Sequence, residues 1–338
     1  MTGIEGIVIG YDGSPGSHEA LRWAVWEAEA RRAKLTVCLA WAPHYLEVLS
    51  EERVYDLARR RAEEILEGGL QYPKSILGPG RVVPVLARRP AGELLCEQSR
   101  TAELVAVGSH GHGGIPGLHL GSVAWQLACR GHGPVVIVRG QWLHPNQNPG
   151  PVVAGVDGSP ASHAVLEFAF REAELRDAPL LAVCAQMDAP GIFGNAHRIA
   201  EDFSDAMNGQ EKEHPGVAVT RQLEVGSPRA ALLTASADAQ LLVVGSRGRG
   251  GLDDMNLGSV AVAMAHYAPC PIAVIRPRDA SNLLQRPKGV TAVPAASASS
   301  ATASSSRPIT AGRHVASANR QAASTFGTIE PGGEPHAP

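Results

Sequence analysis

The stretch that decides the fold is Leu104–Gly111, which reads LVAVGSHG and is followed, after nine further residues, by Gly121-Ser122. The arrangement returns at Leu241–Gly248 as LLVVGSRG, again nine residues before Gly258-Ser259. In each copy an apolar run leads into a glycine-rich segment and then into a segment with helical character, which predicts a strand, a loop and the start of a helix. Small residues expose backbone amides and a helix N-terminus is positive, so each copy predicts a cradle for phosphate.

The rest of the chain also occurs twice. Gly13-Ser14-Pro15 recurs as Gly158-Ser159-Pro160 at a spacing of 145 residues, whereas the glycine loops are 137 residues apart. The second copy is therefore about eight residues shorter, and the loss is predicted in its middle helix at 195–214. We expect a duplicated domain, with a first domain at 1–140, a linker at 141–151, a second domain at 152–278 and a tail at 279–338.

Strands alternate with helices through each half. In the first half, apolar runs predict strands at 7–10, 35–40, 81–87, 104–107 and 134–139. The segments between them predict helices that begin near Ser17, the expected N-cap, and then span 46–70, 91–100 and 123–130. The strands are near-continuous runs of Val, Ile and Leu, which is typical of a parallel sheet covered on both faces. The predicted fold class is therefore α/β.

Length and composition restrict the class of protein. The chain has 338 residues, of which 44% are hydrophobic and 19% charged, and its formal net charge is -3. These values predict a globular, soluble protein without the basic field that a non-specific nucleic-acid binder needs. No run approaches 18 apolar residues and the N-terminus enters a strand at once, so we expect neither a membrane span nor a signal peptide.

The cysteines and the tail add two expectations. The five cysteines are odd in number and widely scattered, at Cys38, Cys96, Cys129, Cys184 and Cys270. This pattern predicts free thiols in a reducing compartment, and so a cytoplasmic protein, rather than a disulfide or zinc framework. The segment 294–306 is almost entirely Ala, Ser and Thr, which predicts disorder because it cannot bury enough apolar surface to offset chain entropy.

Glycine spacing, element order and the Asp-Gly-Ser element after each first strand together resemble the ATP-binding universal stress protein family. The resemblance covers 7–139 and 152–276 and leaves out the linker and the tail. It implies two tandem Rossmann-like domains of the adenine nucleotide alpha hydrolase type, each a five-stranded parallel sheet with helices on both faces. It also implies that ATP, with Mg²⁺, lies across the carboxyl ends of the strands and serves stress-response or growth-regulating signalling.

The resemblance implies a set of cofactor-binding residues in each copy. A glycine passes beneath the nucleotide, an aspartate lies at its base and ribose, an alanine offers backbone hydrogen bonds to adenine, and the loops and helix starts hold ribose and phosphates. In the first copy the set is Gly10, Asp12, Ala40, Gly108, Ser109, His110, Gly111, His112, Gly113, Gly114, Gly121, Ser122 and Val123. In the second copy it is Gly155, Asp157, Ala185, Gly245, Ser246, Arg247, Gly248, Arg249, Gly250, Gly251, Gly258, Ser259 and Val260.

The two loops differ in charge. Arg247 and Arg249 supply permanent positive charge in the second loop, where the first has His110 and His112. Arginine also offers a fork that suits phosphate. We expect the second site to bind phosphates more tightly, and the first to tighten below about pH 6.5, where histidine takes up a proton. Arg89, at a position where the family often has glycine, is a further departure in the first copy.

Two other classes of function stay open. An adenylating enzyme of a related fold is one, but the signatures His-x-Gly-His and Ser-Gly-Gly-x-Asp-Ser are absent, as are a Walker A loop and a Gly-x-Ser-x-Gly elbow. We therefore expect no catalytic residues and at most slow ATP hydrolysis. A scaffold that has lost nucleotide binding is the other, and the intact motif in both copies argues against it.

The remaining expectations concern the histidines and the association of the domains. His110, His112 and His119 share one loop but lack an accompanying carboxylate or thiol pattern, so we expect no metal site there. His18 and His163 are expected to cap or pack.

Folds of this family commonly associate through the last strand, here residues 135–138 and 272–275, which implies a pseudo-dimer within the chain. A homodimer of two such chains is a further prediction.

Overall fold

The computed structural model describes residues 6–41, 52–112, 120–139, 142–186, 193–248 and 257–276, all within one compact unit of the chain, Met1–Ala292. The predicted tail lies outside these residues, as do His119 and five predicted site residues, Gly113, Gly114, Arg249, Gly250 and Gly251. Within the described ranges, no helix is long and apolar enough to cross a membrane.

Ten strands and eight helices alternate along the described residues, which confirms the predicted α/β class. The strands are β1 Ile7–Gly10, β2 Leu35–Ala40, β3 Val82–Ala87, β4 Leu104–Gly108, β5 Val135–Val138, β6 Val152–Val156, β7 Leu180–Gln186, β8 Val219–Val225, β9 Leu241–Gly245 and β10 Ile272–Ile275. The helices are α1 Pro15–Ala30, α2 Glu52–Leu77, α3 Ala91–Gln98, α4 Ser122–Arg130, α5 Pro160–Arg176, α6 Phe193–Glu213, α7 Pro228–Ala235 and α8 Ser259–Tyr267.

All ten strands form one sheet in the order β3-β2-β1-β4-β5-β10-β9-β6-β7-β8. Each half is parallel, and its strand order reverses between the first and fourth strands, where an open α/β sheet leaves a crevice for a ligand. The halves join through β5 and β10, which pair antiparallel with Ile137 opposite Ile272 and Val136 opposite Ala273. The expected pairing of the two last strands is therefore present.

Residue alternation along the strands builds two core layers. Ile7 and Ile9 face the layer covered by α1, α2, α5 and α6, whereas Val8 faces the layer covered by α3, α4, α7 and α8. Both faces are buried, which explains why the inner strands are almost entirely apolar. Pro84 is accommodated because β3 is an edge strand, where a missing backbone donor costs no hydrogen bond to a further strand.

Three helices test the predicted helix bounds: one begins elsewhere, one continues further and one is shorter, as expected. The N-cap of α1 is Ser14, whose hydroxyl accepts a hydrogen bond from the Ser17 amide at 3.2 Å, so the prediction of Ser17 as the cap is wrong by one turn. Helix α2 continues past the predicted end to Leu77, through Pro73, because buried residues such as Leu77 hold its last turns on the core. Helix α6 has 21 residues against 26 in α2, which confirms the shortened middle helix.

The linker is part of the packed structure. Trp142 is buried in the core, and its ring centroid lies 6.5 Å from that of Trp26 on α1. A short 3-10 turn at Pro145–Gln147 then leads into β6. The segment predicted as a plain connection therefore also anchors the first half to the start of the second.

Buried charges join the halves where α1 meets α5. Glu27 of α1, Arg31 at the C-cap of α1, and Glu172 and Arg176 of α5 form a closed ring in which each carboxylate contacts both guanidinium groups. Both carboxylates are buried. Burial alone would raise the pKa of Glu172, but the guanidinium groups of Arg31 and Arg176 hold it below the ordinary range.

All five cysteines are free, as predicted, and four of them are buried. Burial raises the pKa of Cys38 and of Cys270 to about 12. A thiol with so high a pKa is a poor nucleophile at neutral pH, so these two cysteines are packing residues.

Candidate functional site

A cavity of about 400 Å³ lies at the carboxyl ends of the strands in the first half, at the point where the strand order reverses. Loop, helix start and strand ends converge on it from three directions. The predicted site residues that line it are Gly10, Asp12, Ala40, Gly108, Ser109, His110, Gly111, Gly121, Ser122 and Val123. Of the described predicted residues in this half, His112 does not line the cavity.

The second half has a matching cavity of about 270 Å³. Its lining includes the predicted residues Gly155, Asp157, Ala185, Gly245, Arg247, Gly248, Gly258, Ser259 and Val260. Ser246 is buried beneath it, with its amide donating to the Ile275 carbonyl at 2.8 Å. The structure thus brings together almost all of the predicted residues that it describes.

Apolar walls were missed by the sequence analysis. In the first half, Leu94 and Leu95 of α3 line the cavity opposite the glycine loop, and Leu232 of α7 does so in the second half. A Cβ on Gly10 would lie 2.7 Å from a Leu95 methyl, and one on Gly155 would lie 2.9 Å from a Leu232 methyl. The glycines therefore admit these leucines. In the sequence, the only signal for these apolar walls was the leucines of the short segments that form α3 and α7.

Glycine is the N-cap residue of both helices at the cavities. Gly121 is the N-cap of α4 and Gly258 is the N-cap of α8, so neither cap residue has a side chain that could accept hydrogen bonds from the first-turn amides. Their own amides donate to Ser109 and Ser246 carbonyls at 2.7 Å, which ties each helix start to its loop. The first-turn amides of α4 and α8 are therefore available to an anion, whose charge the helix dipole favours.

The Asp12 carboxylate supports the first glycine loop. It accepts hydrogen bonds from the Ser14 amide at 2.9 Å and from the His112 amide at 3.0 Å. Burial alone would raise the pKa of Asp12, but these hydrogen bonds outweigh it and the pKa is lowered. Asp12 is consequently an anion at neutral pH.

Asp157 holds the matching place in the second half. It accepts hydrogen bonds from the Ser159 amide at 3.0 Å and the Ser162 hydroxyl at 2.9 Å. Each loop crosses its aspartate so closely that a Cβ on Gly111 would lie 2.3 Å from Asp12, and one on Gly248 would lie 2.3 Å from Asp157. A side chain at either position would have to displace the aspartate.

The first loop packs more closely on its helix than the second. A Cβ on Gly108 would lie 2.6 Å from the Gly16 backbone of α1, and one on Gly16 would lie 2.5 Å from the His110 carbonyl. At the matching positions, a Cβ on Gly245 would lie 3.5 Å from a Val165 methyl of α5, and Ala161 already carries a Cβ. An open cavity of about 910 Å³, lined in part by Ala161 and Arg247, adjoins the second site.

Tyr11 accounts for part of the same difference. Its buried ring stands edge-on to His18, with ring centroids 5.2 Å apart, and its hydroxyl lies 3.3 Å from His18 Nε2. This contact agrees with the packing role expected for His18. The second half has the smaller Val156 at this place, and Val156 lines the open cavity.

The two halves also differ before the helices α3 and α7. Gly226 has a φ of 154°, which favours glycine. Arg89, at the matching position, does not have a positive φ and instead pairs with Glu97 at 2.6 Å. The turn that leads into α3 therefore differs from the turn that leads into the corresponding helix α7.

Comparison with known proteins agrees with this geometry. The model of the family described as "Universal stress protein family" matches the chain twice, at residues 3–139 and 150–276. A universal stress protein of Mycobacterium tuberculosis is 36% identical over an aligned length of 287, and the match covers 80% of this chain and 96% of that protein. A second one from the same organism is 33% identical over an aligned length of 304, and the match covers 81% of this chain and 96% of that protein.

A solved structure shares the fold. The crystal structure of a universal stress protein from Archaeoglobus fulgidus superimposes with a TM-score of 0.59 at 19% identity, and the match covers 81% of this chain and 98% of that one.

Proposed function

Because this chain belongs to the universal stress protein family and carries two of its domains in tandem, we propose that it binds ATP with Mg²⁺ at two sites. One observation carries the proposal. In each half, a helix start whose N-cap residue is glycine faces a glycine loop across a cavity at the carboxyl ends of the strands. Such an arrangement supplies backbone donors and a positive dipole to a phosphate chain.

The first cavity suggests how ATP would be oriented. Ala40 and the leucines of α3 offer the apolar surface that an adenine ring needs, and the Asp12 carboxylate lies nearby to accept from ribose hydroxyls. The Gly121–Val123 start of α4 would receive the phosphates. The second cavity repeats this plan with Ala185, Asp157 and the start of α8.

The lining of the cavities fits a Mg²⁺ ion that arrives with the phosphates. Asp12 is the only carboxylate among the described residues that line the first cavity, and backbone amides already engage it. Mg²⁺ commonly uses phosphate oxygens and water with few protein ligands. Phosphate oxygens and water would therefore supply most of the Mg²⁺ ligands.

We assign the bound nucleotide a signalling role in stress response or growth regulation, as the family suggests. A ligand shifts a conformational equilibrium only through a difference in affinity for two states. The glycine loops, which a nucleotide would contact directly, are the elements through which such a difference would act. The free cysteines support a reducing compartment such as the cytoplasm.

Titration of ATP with Mg²⁺ by calorimetry tests the proposal. In nucleotide-free protein we expect two binding events per chain, with Asp12→Ala removing one and Asp157→Ala the other, each by at least about tenfold in affinity. Asp238→Ala, an exposed aspartate at the amino end of β9, is the matched control and should bind as the wild type does. The melting temperature of each variant checks that it is folded.

Absence of binding in the wild type would refute the nucleotide proposal. A single event that only Asp157→Ala removes would restrict the proposal to the second half.

A further inference from the structure

Each half ends in an arginine that reaches the other half. Arg139 follows β5, and its guanidinium donates to the Ala265 carbonyl and, at 2.7 Å, to the His266 carbonyl of α8. Arg276 follows β10 and donates to the Cys129 carbonyl and, at 2.9 Å, to the Ala128 carbonyl of α4. Each arginine thus contacts the C-terminal end of the corresponding short helix in the other half.

These contacts complete the C-terminus of each short helix. The last carbonyls of a helix have no partner within it, and a cation near them also favours the dipole. In α4 the Gly131 amide donates to the Leu127 carbonyl at 2.7 Å, and the Arg276 guanidinium donates to the next two carbonyls along the helix. In α8 the Ala268 amide donates to the Met264 carbonyl at 2.9 Å, and the Arg139 guanidinium donates to the next two carbonyls.

The opposite ends of α4 and α8 are the phosphate ends of the two candidate sites. Each helix has nine residues and is therefore about 13 Å long. A helix this short moves as one rigid piece, so an arginine that holds its C-terminus also sets the place of its first-turn amides. Arg276 thus holds the helix that begins at the first candidate site, and Arg139 holds the helix that begins at the second.

The same segments contact the loops of their own halves. The Ser109 amide donates to the Val138 carbonyl at 3.0 Å, and the Ser246 amide donates to the Ile275 carbonyl at 2.8 Å. Val138 and Ile275 directly precede the two arginines. In each half, therefore, the last residue of the final strand contacts the loop of its own site, and the next residue in the chain contacts the helix of the opposite site.

We propose that Arg139 and Arg276 are positioning residues that act crosswise, each holding the phosphate-side helix of the nucleotide site in the opposite half. The inference rests on the proposed function, since it concerns those two sites. It implies that neither half has a complete binding site without the other.

Site-resolved titrations test the crosswise effect. In an Asp157→Ala background, which reports the first site, we expect Arg276→Gln to weaken ATP binding about 3- to 10-fold and by more than Arg139→Gln does. In an Asp12→Ala background the order should reverse. Arg130→Gln, which removes an exposed charge from the last turn of α4, is the matched control and should leave binding unchanged. Arg276→Lys should restore part of the lost affinity.

Hydrogen exchange without nucleotide gives a second measurement that does not depend on ATP. In Arg276→Gln we expect faster amide exchange in the first turn of α4 than in that of α8, and in Arg139→Gln the reverse. Equal weakening at both sites, or equal exchange in both helices, would overturn the inference. If the parent variants bind no ATP but exchange still responds crosswise, the nucleotide proposal fails while the positioning role of the arginines stands.

Discussion

His110 and Arg247 occupy matching positions in the two glycine loops, and both line their cavities. The His110 ring lies 3.1 Å from the Ser109 hydroxyl through Nδ1, whereas the Arg247 side chain is exposed. A neutral imidazole offers phosphate at most one donor, but a guanidinium offers a charged fork. At the scale of single residues, the loops thus share a backbone plan and differ in charge.

We expect His110→Arg to strengthen ATP binding at the first site by about tenfold at pH 8, because a charge-assisted hydrogen bond replaces a neutral one. Calorimetry in an Asp157→Ala background, which reports the first site, measures the change in affinity. His132→Arg, at an exposed position outside the cavity lining, serves as the control, and equal affinity of parent and His110→Arg would contradict the prediction.

Helix α2 meets the first site through a glycine. Tyr11, which lines the cavity, packs against Gly69, where a Cβ would lie 2.3 Å from the ring. The neighbouring Gly68 is exposed, and a Cβ on it would meet no atom within 4 Å. The two adjacent glycines therefore have different physical roles, one in packing and one without a contact.

These glycines form a matched pair for measurement. Gly68→Ala should stabilise the protein by about 0.5–1 kcal/mol because alanine favours the helix. Gly69→Ala should destabilise it by about 1–3 kcal/mol because Tyr11 must move. Urea unfolding of both variants gives the free energies, and similar values for the two would show that Tyr11 yields without cost.

The charge ring between α1 and α5 belongs to the whole molecule. Arg176 contacts both carboxylates of the ring and lies over the Trp26 ring at 4.7 Å, with its side chain 2% exposed. Removing one member of a buried ion network leaves its partners desolvated and unpaired. We therefore expect the ring to enforce the fit between the halves.

Arg176→Met should lower the free energy of unfolding by about 3–5 kcal/mol. Arg171→Met, which removes a partly exposed ion pair with Glu167 on the same helix, should lower it by at most about 1 kcal/mol. The double variant Glu27→Leu/Arg176→Met keeps the Arg31–Glu172 pair and should recover most of the loss. Urea denaturation measures all three, and a loss in Arg176→Met no larger than in Arg171→Met would refute the role of the ring.

The local pattern of the sequence was enough for much of this structure. Apolar runs and turn residues mark most strands, so the order of elements and the duplication could be predicted. The edge strand β8, which reads VTRQLEV, followed only from the repeat of the first half. The glycine loops marked the candidate site for the same reason, because backbone approach depends on the residue at each position. The cap of α1 was misplaced because Ser14 and Ser17 lie one turn apart and both suit a helix start.

By itself, then, the sequence determined the α/β class, the repeated unit and the backbone of two matching cavities. Only the tertiary structure decided which distant side chains complete them. The leucines of α3 reach the first cavity across the sheet, and the crosswise arginines and the charge ring join residues more than a hundred positions apart. The arginine and charge-ring contacts join the two halves, whose sheets meet where β5 and β10 pair antiparallel, and a long-range pairing of two similar apolar strands leaves no local mark in the chain.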